Sequence, residues 1–247
     1  VSLIETSFSE VVWKQFTFKR KAFFTTFGTL VILQLLAILF SSGGSASSGF
    51  SGKDMSVHLS YYSGDIVVIF TILWAFFVAI FITSQAARFD DYAFVGNRVS
   101  SHLANLLFLI TASLIGGLSA TLCGYIVRIF GYYSNDLMMG EGFLQAPLDF
   151  LLSIGAISLY GFLFATLGYL FGVIIQFHRS FVFLLPAICV GLMISAISSG
   201  YDAEMKAIFD FIVLESHFWL FLLKVFLLSG VFFAIAMGIS NKLEVRK

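Results

Sequence analysis

Charge is what this sequence has least of. Asp, Glu, Lys and Arg make up 11% of its 247 residues, against 59% hydrophobic and 17% aromatic, and the mean hydropathy is +0.98. A soluble domain cannot hide that much apolar surface, so the bilayer is the expected solvent. Cysteine is also scarce: Cys123 and Cys189 both fall inside apolar runs, which excludes a disulfide scaffold and leaves packing as their role. The histidines, His58, His102, His178 and His217, share no HExxH or Cys/His spacing, so no metal site is expected. A phosphate-binding loop is missing too. Gly52-Lys53 is followed by Asp54, and Ser47 stands where such a loop needs its first glycine. The chain is therefore expected to bind no nucleotide or other cofactor of its own and to catalyse nothing alone.

What is there is a series of long apolar runs. Six approach or exceed the roughly 17 to 20 residues that cross a hydrocarbon core: Phe23–Phe40, Ile66–Ile82, Leu103–Phe130, Leu148–Phe177, Phe181–Ile197 and Phe218–Ile239. The two longest must tilt or project beyond the bilayer. Lys14, Lys19, Arg20 and Lys21 flank the first run as they would a secretory signal, but the run is too long for a signal's apolar core and is read as a retained span.

The basic residues set the orientation. With the termini and even-numbered loops on one side, that side holds ten of the 14 Lys and Arg; the other holds only Lys53 and Lys206. Both termini are then cytoplasmic. The formal net charge of zero conceals this asymmetry and argues against nucleic acid as a partner.

The connections differ in character. Phe8 to Lys21 mixes aromatics with basic residues and predicts a helix lying at the cytoplasmic interface, with Trp13, Phe16 and Phe18 among headgroups and the lysines in water. Ser41 to Gly52 is rich in Ser and Gly and is expected to act as a flexible tether. Gln176 to Arg179 leaves room only for a turn, which makes the fourth and fifth spans antiparallel neighbours. Ser198 to Ser216 is acidic, with Ile208, Phe211 and Ile212 at helical spacing, and predicts a short amphipathic or re-entrant helix on the outer face.

Within the spans, small residues recur on ridges. Ala112, Gly116, Ala120 and Gly124 are four apart, and Gly161, Ala165, Gly168 and Gly172 follow at four, three and four. Such ridges let helix backbones approach closely, within one subunit or between two. Lys224, about a turn and a half into the last span, is a candidate pathway or gate residue, with snorkelling toward the acidic outer loop as the competing role. Arg128 near the outer end of the third span reads as an anchor.

The layout is that of an all-α integral membrane protein: six transmembrane helices, an interfacial lead-in helix and a charged loop between spans two and three. Here it resembles the membrane subunits of the ABC-2 type permease family of ATP-binding-cassette transporters, over nearly the whole chain and by arrangement rather than by a sharp motif. The matching stretches are Phe8 to Lys21, Gln85 to Arg98 and Ser198 to Ser216. The resemblance implies one six-span permease domain over residues 1–247. It also implies pairing with a second permease subunit, identical or related, and docking on a cytoplasmic ATPase subunit that supplies ATP and Mg. Family members usually export. The very small outer loops favour an amphipathic or hydrophobic cargo such as a peptide, antibiotic or lipid, and a bacterial plasma membrane is the natural location.

In "FDDYAFVG", Asp90 and Asp91 suit a first helical turn and Gly96 a left-handed end, which gives about two turns with Phe89, Tyr92 and Ala93 on one face. The resemblance makes this a coupling helix, with Arg88, Phe89, Asp90, Asp91, Tyr92, Phe94 and Arg98 as its ATPase-docking residues. Two other classes stay open. A self-sufficient secondary transporter would need acidic residues near the middle of a span, and an intramembrane enzyme a polar constellation at one depth. Neither is evident.

Overall fold

A computed structural model of the chain describes residues 7–42, 46–51, 56–61, 64–84, 87, 97–135, 146–176, 181, 183, 187 and 217–243. Six helices and one hairpin account for nearly all of them: α1 (Phe8–Ala22), α2 (Phe24–Ser42), β1 (Ala46–Ser51), β2 (Ser56–Tyr61), α3 (Asp65–Ile82), α4 (Arg98–Asn135), α5 (Pro147–Ile175) and α6 (Phe218–Leu243). Five of these, α2 to α6, are long and apolar enough to cross a membrane. The protein is a multi-pass helical membrane protein. The expected span Phe181–Ile197 and the acidic loop Ser198 to Ser216 lie outside the described residues, apart from positions 181, 183 and 187.

The helices face their surroundings as lipid demands. In α2 the buried positions Leu30, Gln34, Ala37 and Ser41 form one stripe, while Val31, Ile32, Leu35, Leu36, Leu39 and Phe40 point outward. Large apolar side chains outside and small or polar ones inside reverse the pattern of a water-soluble helix. In α6 the buried face mixes large and small side chains: Phe221, Val225, Ser229, Phe233, Ala236 and Ser240.

α1 starts with Ser7 as N-cap, accepting a hydrogen bond from the Glu10 N–H at 3.4 Å, and its last turn places Lys19, Arg20 and Lys21 at the negative end of the helix dipole. Glu10 also pairs with Lys14 at 2.7 Å along the exposed face. One residue, Phe23, separates α1 from α2, and its ring packs on Phe108 of α4 at 5.7 Å. α4 has 38 residues and is about 57 Å long. That exceeds a hydrocarbon core of ~30 Å, so the helix must tilt or extend beyond it. Along the first turns of this helix α1 finds its main packing partner.

The loop expected to be a tether instead contains a hairpin. β1 and β2 pair antiparallel from Ala46 opposite Tyr61 to Ser51 opposite Ser56. The Ser/Gly composition of the first strand concealed it, while Val57, Leu59 and Tyr61 in the second carry a period-two pattern.

By contact the chain divides into two compact units, Val1–Ala75 with Asn97–Phe164, and Phe76–Gly96 with Ala165–Lys247. In the first, Ala37, Val67, Ala120 and Val127 form a small core where α2, α3 and α4 meet. In the second, α5 packs on α3 with almost no clearance. A Cβ at position 168 would overlap the Phe76 carbonyl oxygen and lie 3.0 Å from its carbon; at 172 it would overlap Thr83 Oγ1 and lie 3.1 Å from Ile80 Cα. Phe76 closes the contact edge-on against Phe171 at 5.5 Å, and Tyr169 stacks on Phe233 of α6 at 5.2 Å.

Backbone cannot step aside as a flexible side chain can, so Gly168→Ala is expected to cost about 1–3 kcal/mol. Gly168→Leu should be worse. Gly124→Ala meets nothing within 4 Å and should leave the melting temperature in detergent unchanged. Equal melting of the two alanine variants would contradict the packing described.

Candidate functional site

Among the described residues, a connected polar constellation lies inside the first unit, on three facing helices. Gln34 of α2 is only 3% exposed. Its amide nitrogen donates to Thr71 Oγ1 of α3 at 3.1 Å and to Ser119 Oγ of α4 at 2.9 Å, and its oxygen accepts from Cys123 Sγ at 3.7 Å. The two hydroxyls in turn donate to backbone carbonyls of their own helices, Thr71 to Val67 at 2.8 Å and Ser119 to Gly116 at 3.0 Å. Both amide hydrogens and the amide oxygen are therefore used, as a low-dielectric interior requires. Nearby, Trp74 Nε1 donates to Thr29 Oγ1 at 3.0 Å, and Phe27 packs against both Trp74 and Phe108.

Beside this knot a groove runs between α2 and α4. Phe24, Phe27, Leu30 and Val31 line it from α2, Thr111 and Ile115 from α4, with Gln34 and Ser119 at one end and Arg20 and Lys21 of α1 at the other. Its volume is about 640 Å³.

α1 is fastened beside the groove by a buried cation. Val12, Gln15, Phe16 and Lys19 form one helical stripe, all buried. Lys19 is 1% exposed, and its Nζ donates to Asn105 Oδ1 of α4 at 2.5 Å. The expectation that Phe16 lies among headgroups and the lysines in water is thus corrected for Phe16 and Lys19: the i, i+3, i+4, i+7 spacing turns them to α4. Trp13, 63% exposed, and Phe18 keep an outward position.

The residues singled out from sequence fall in separate places. Ala112, Gly116 and Ala120 are buried on the face of α4 that meets α2 and α3, where a Cβ on Gly116 would lie 3.2 Å from Thr71 Cγ2. Gly64 packs against this ridge: a Cβ on Gly64 would stand 3.0 Å from Gly124 Cα, while a Cβ on Gly124 itself would meet nothing within 4 Å. Gly161 has ordinary clearance, 3.6 Å, from Ser113 Cβ. Ala165, Gly168 and Gly172 are buried on α5 in the second unit. Lys224 is half-buried on α6 of that unit, six residues after the helix begins. Arg128 is exposed, its guanidinium 5.4 Å from the Tyr125 ring centroid. Arg88, Phe89, Asp90, Asp91, Tyr92 and Phe94 lie outside the described residues, as does the Gln176 to Arg179 turn beyond Gln176, while Arg98 is the first residue of α4. Gln176 Nε2 donates to the Thr83 carbonyl, which ties the end of α5 to the end of α3. Among the described residues, no group of three or more His, Cys, Asp or Glu is placed to hold a metal ion.

Sequence reasoning missed Gln34, Lys19 and Asn105. A signal existed for Gln34, the one amide in an otherwise apolar run. For Lys19, in a cluster with Arg20 and Lys21, the signal was its phase with Val12 and Phe16. No protein-family model matches the chain, and no curated protein or solved structure is significantly similar to it.

A buried ammonium that loses a hydrogen-bond acceptor is destabilised, and hydrogen bonds to charged groups carry about 1.5–3 kcal/mol. Asn105→Leu should therefore destabilise the detergent-solubilised protein by about that amount. Asn105→Asp keeps an acceptor for Lys19 and should stay near wild type. Melting curves of the two variants check this, and equal stabilities would contradict it.

Proposed function

We propose that this chain is the membrane-spanning permease subunit of an ATP-driven exporter of ABC-2 type, moving an amphipathic or hydrophobic cargo across a bacterial plasma membrane. In this reading both termini are cytoplasmic, six helices span, a second permease subunit completes the pathway, and a separate ATPase subunit binds ATP and Mg.

The observation that carries the reading is the lead-in helix. α1 precedes the first membrane-length helix, is joined to it through Phe23 alone, and is seated on α4 through Lys19 and Asn105. A helix so held at the basic side of the membrane can pass a movement at the base of α4 directly to α2. The stretch from Arg88 to Phe94 enters the chain between α3 and α4, and so leads into the helix on which α1 rests.

Purification from the native membrane in mild detergent tests the assignment: a stoichiometric ATPase subunit is expected, and its absence would overturn the reading. The double variant Phe89→Ala, Tyr92→Ala should leave the chain inserted and weaken ATPase association, or uncouple hydrolysis from transport. Normal co-purification together with normal transport would remove the docking role. For Lys224, the expected outcome of Lys224→Met is altered transport or substrate-stimulated hydrolysis with assembly intact; wild-type behaviour would leave it a snorkelling residue.

A further inference from the structure

The groove between α2 and α4 has two chemically different ends. At its mouth stand Arg20 and Lys21, both exposed on the last turn of α1. Phe24, Phe27, Val31 and Ile115 make apolar walls below them. Gln34 and Ser119, bonded to one another, line its far end. From Phe24 to Gln34 the helix rises about 15 Å. That is half of a hydrocarbon core of ~30 Å, the depth of one leaflet. The groove is open to its surroundings along walls where Phe24, Val31 and Ile115 are exposed, and its volume is about 640 Å³.

We propose that this groove binds an anionic membrane lipid, with the headgroup on Arg20 and Lys21 and one acyl chain lying along α2 and α4 as far as Gln34. Charge complementarity selects the occupant. An acyl chain gains little by leaving lipid for an apolar wall, so the headgroup must supply the preference. The local field is positive and uncompensated by α1 itself: its acid, Glu10, is paired with Lys14 near the opposite end of the helix. The neighbouring lysine, Lys19, is turned inward to Asn105 and does not compete for the headgroup. Arg20 is steadied at the mouth, its guanidinium 6.0 Å from the centre of the Phe16 ring. Two such cations at the surface enrich an anionic over a neutral lipid by a factor on the order of ten. The site stands on this geometry alone and holds whether or not an ATPase partner exists.

The test is thermal unfolding of the full chain in a neutral maltoside detergent, titrated with phosphatidylglycerol or with phosphatidylcholine of the same acyl chains. Phosphatidylglycerol should raise the melting temperature saturably, with an apparent affinity on the order of tenfold above that of phosphatidylcholine. The double variant Arg20→Gln, Lys21→Gln should lose the difference between lipids, as should Val31→Trp, which fills the groove and leaves both cations in place. Lys14→Gln, outside the groove, should retain it. Glycerol phosphate, which offers the headgroup chemistry without a chain, should give no shift. Equal response of the wild type to both lipids would overturn the proposal, as would a preference that survives in both groove variants. A change in oligomeric state with Val31→Trp and no change in the lipid response would also overturn it, because the groove would then hold a helix of a second copy.

Discussion

Hydrocarbon gives two apolar helices no reason to meet, because lipid tails solvate a leucine as well as another helix does. Everything that holds this chain together must come from close packing and from polar groups that lipid cannot satisfy. Gln34 meets that constraint for the first unit. One amide joins α2 to α3 and α4, and each hydroxyl it reaches is also bonded to its own helix backbone. Around it the contact residues are small, Ala37 and Ala120 beside Val67, so that the helices come close enough for a short side chain to bridge them. In the second unit the same constraint is met by close packing, with glycine against α3 at Gly168 and Gly172, and by aromatic stacking of Tyr169 on Phe233.

The second device is Lys19. A cation at the membrane boundary normally reaches for water or headgroups. Here one is withdrawn onto Asn105 while its neighbours, Arg20 and Lys21, remain outside. The consequence is a division of labour within three consecutive residues. Lys19 fixes α1 to α4, and the other two give the groove its charged rim. The seat of α1 on α4 and the charge at the mouth of the groove thus both come from the last turn of α1.

Hydropathy made the membrane-length helices legible, because 18 or more apolar residues leave little alternative. It also showed that α4 must tilt or project, although not that α1 would pack along its first turns. Composition misled at the hairpin, where Ser and Gly in β1 pair with a better strand-former in β2. Small-residue spacing marked Gly168, but no spacing could say that it faces Phe76 rather than another subunit. Gln34 was passed over because a single amide in an apolar run has no periodicity to detect. Its importance depends on Thr71 and Ser119, which are 37 and 85 residues away in sequence. The stretch from Arg88 to Phe94, read from its turn chemistry and charge, lies outside the described residues.

The central claim is that a hydrogen-bonded amide at Gln34 couples three helices inside the membrane. A double-mutant cycle with Gln34→Leu and Thr71→Val, read as unfolding free energy in mixed micelles, tests it most directly. Each single change removes the bond between them while leaving the other residue's remaining bonds in place, so the coupling isolates the pair. The account predicts a coupling of about 0.6 kcal/mol, and no more than about 1.7, as found by such cycles for interhelical hydrogen bonds in membranes. Additive effects, with no coupling between the two positions, would contradict it.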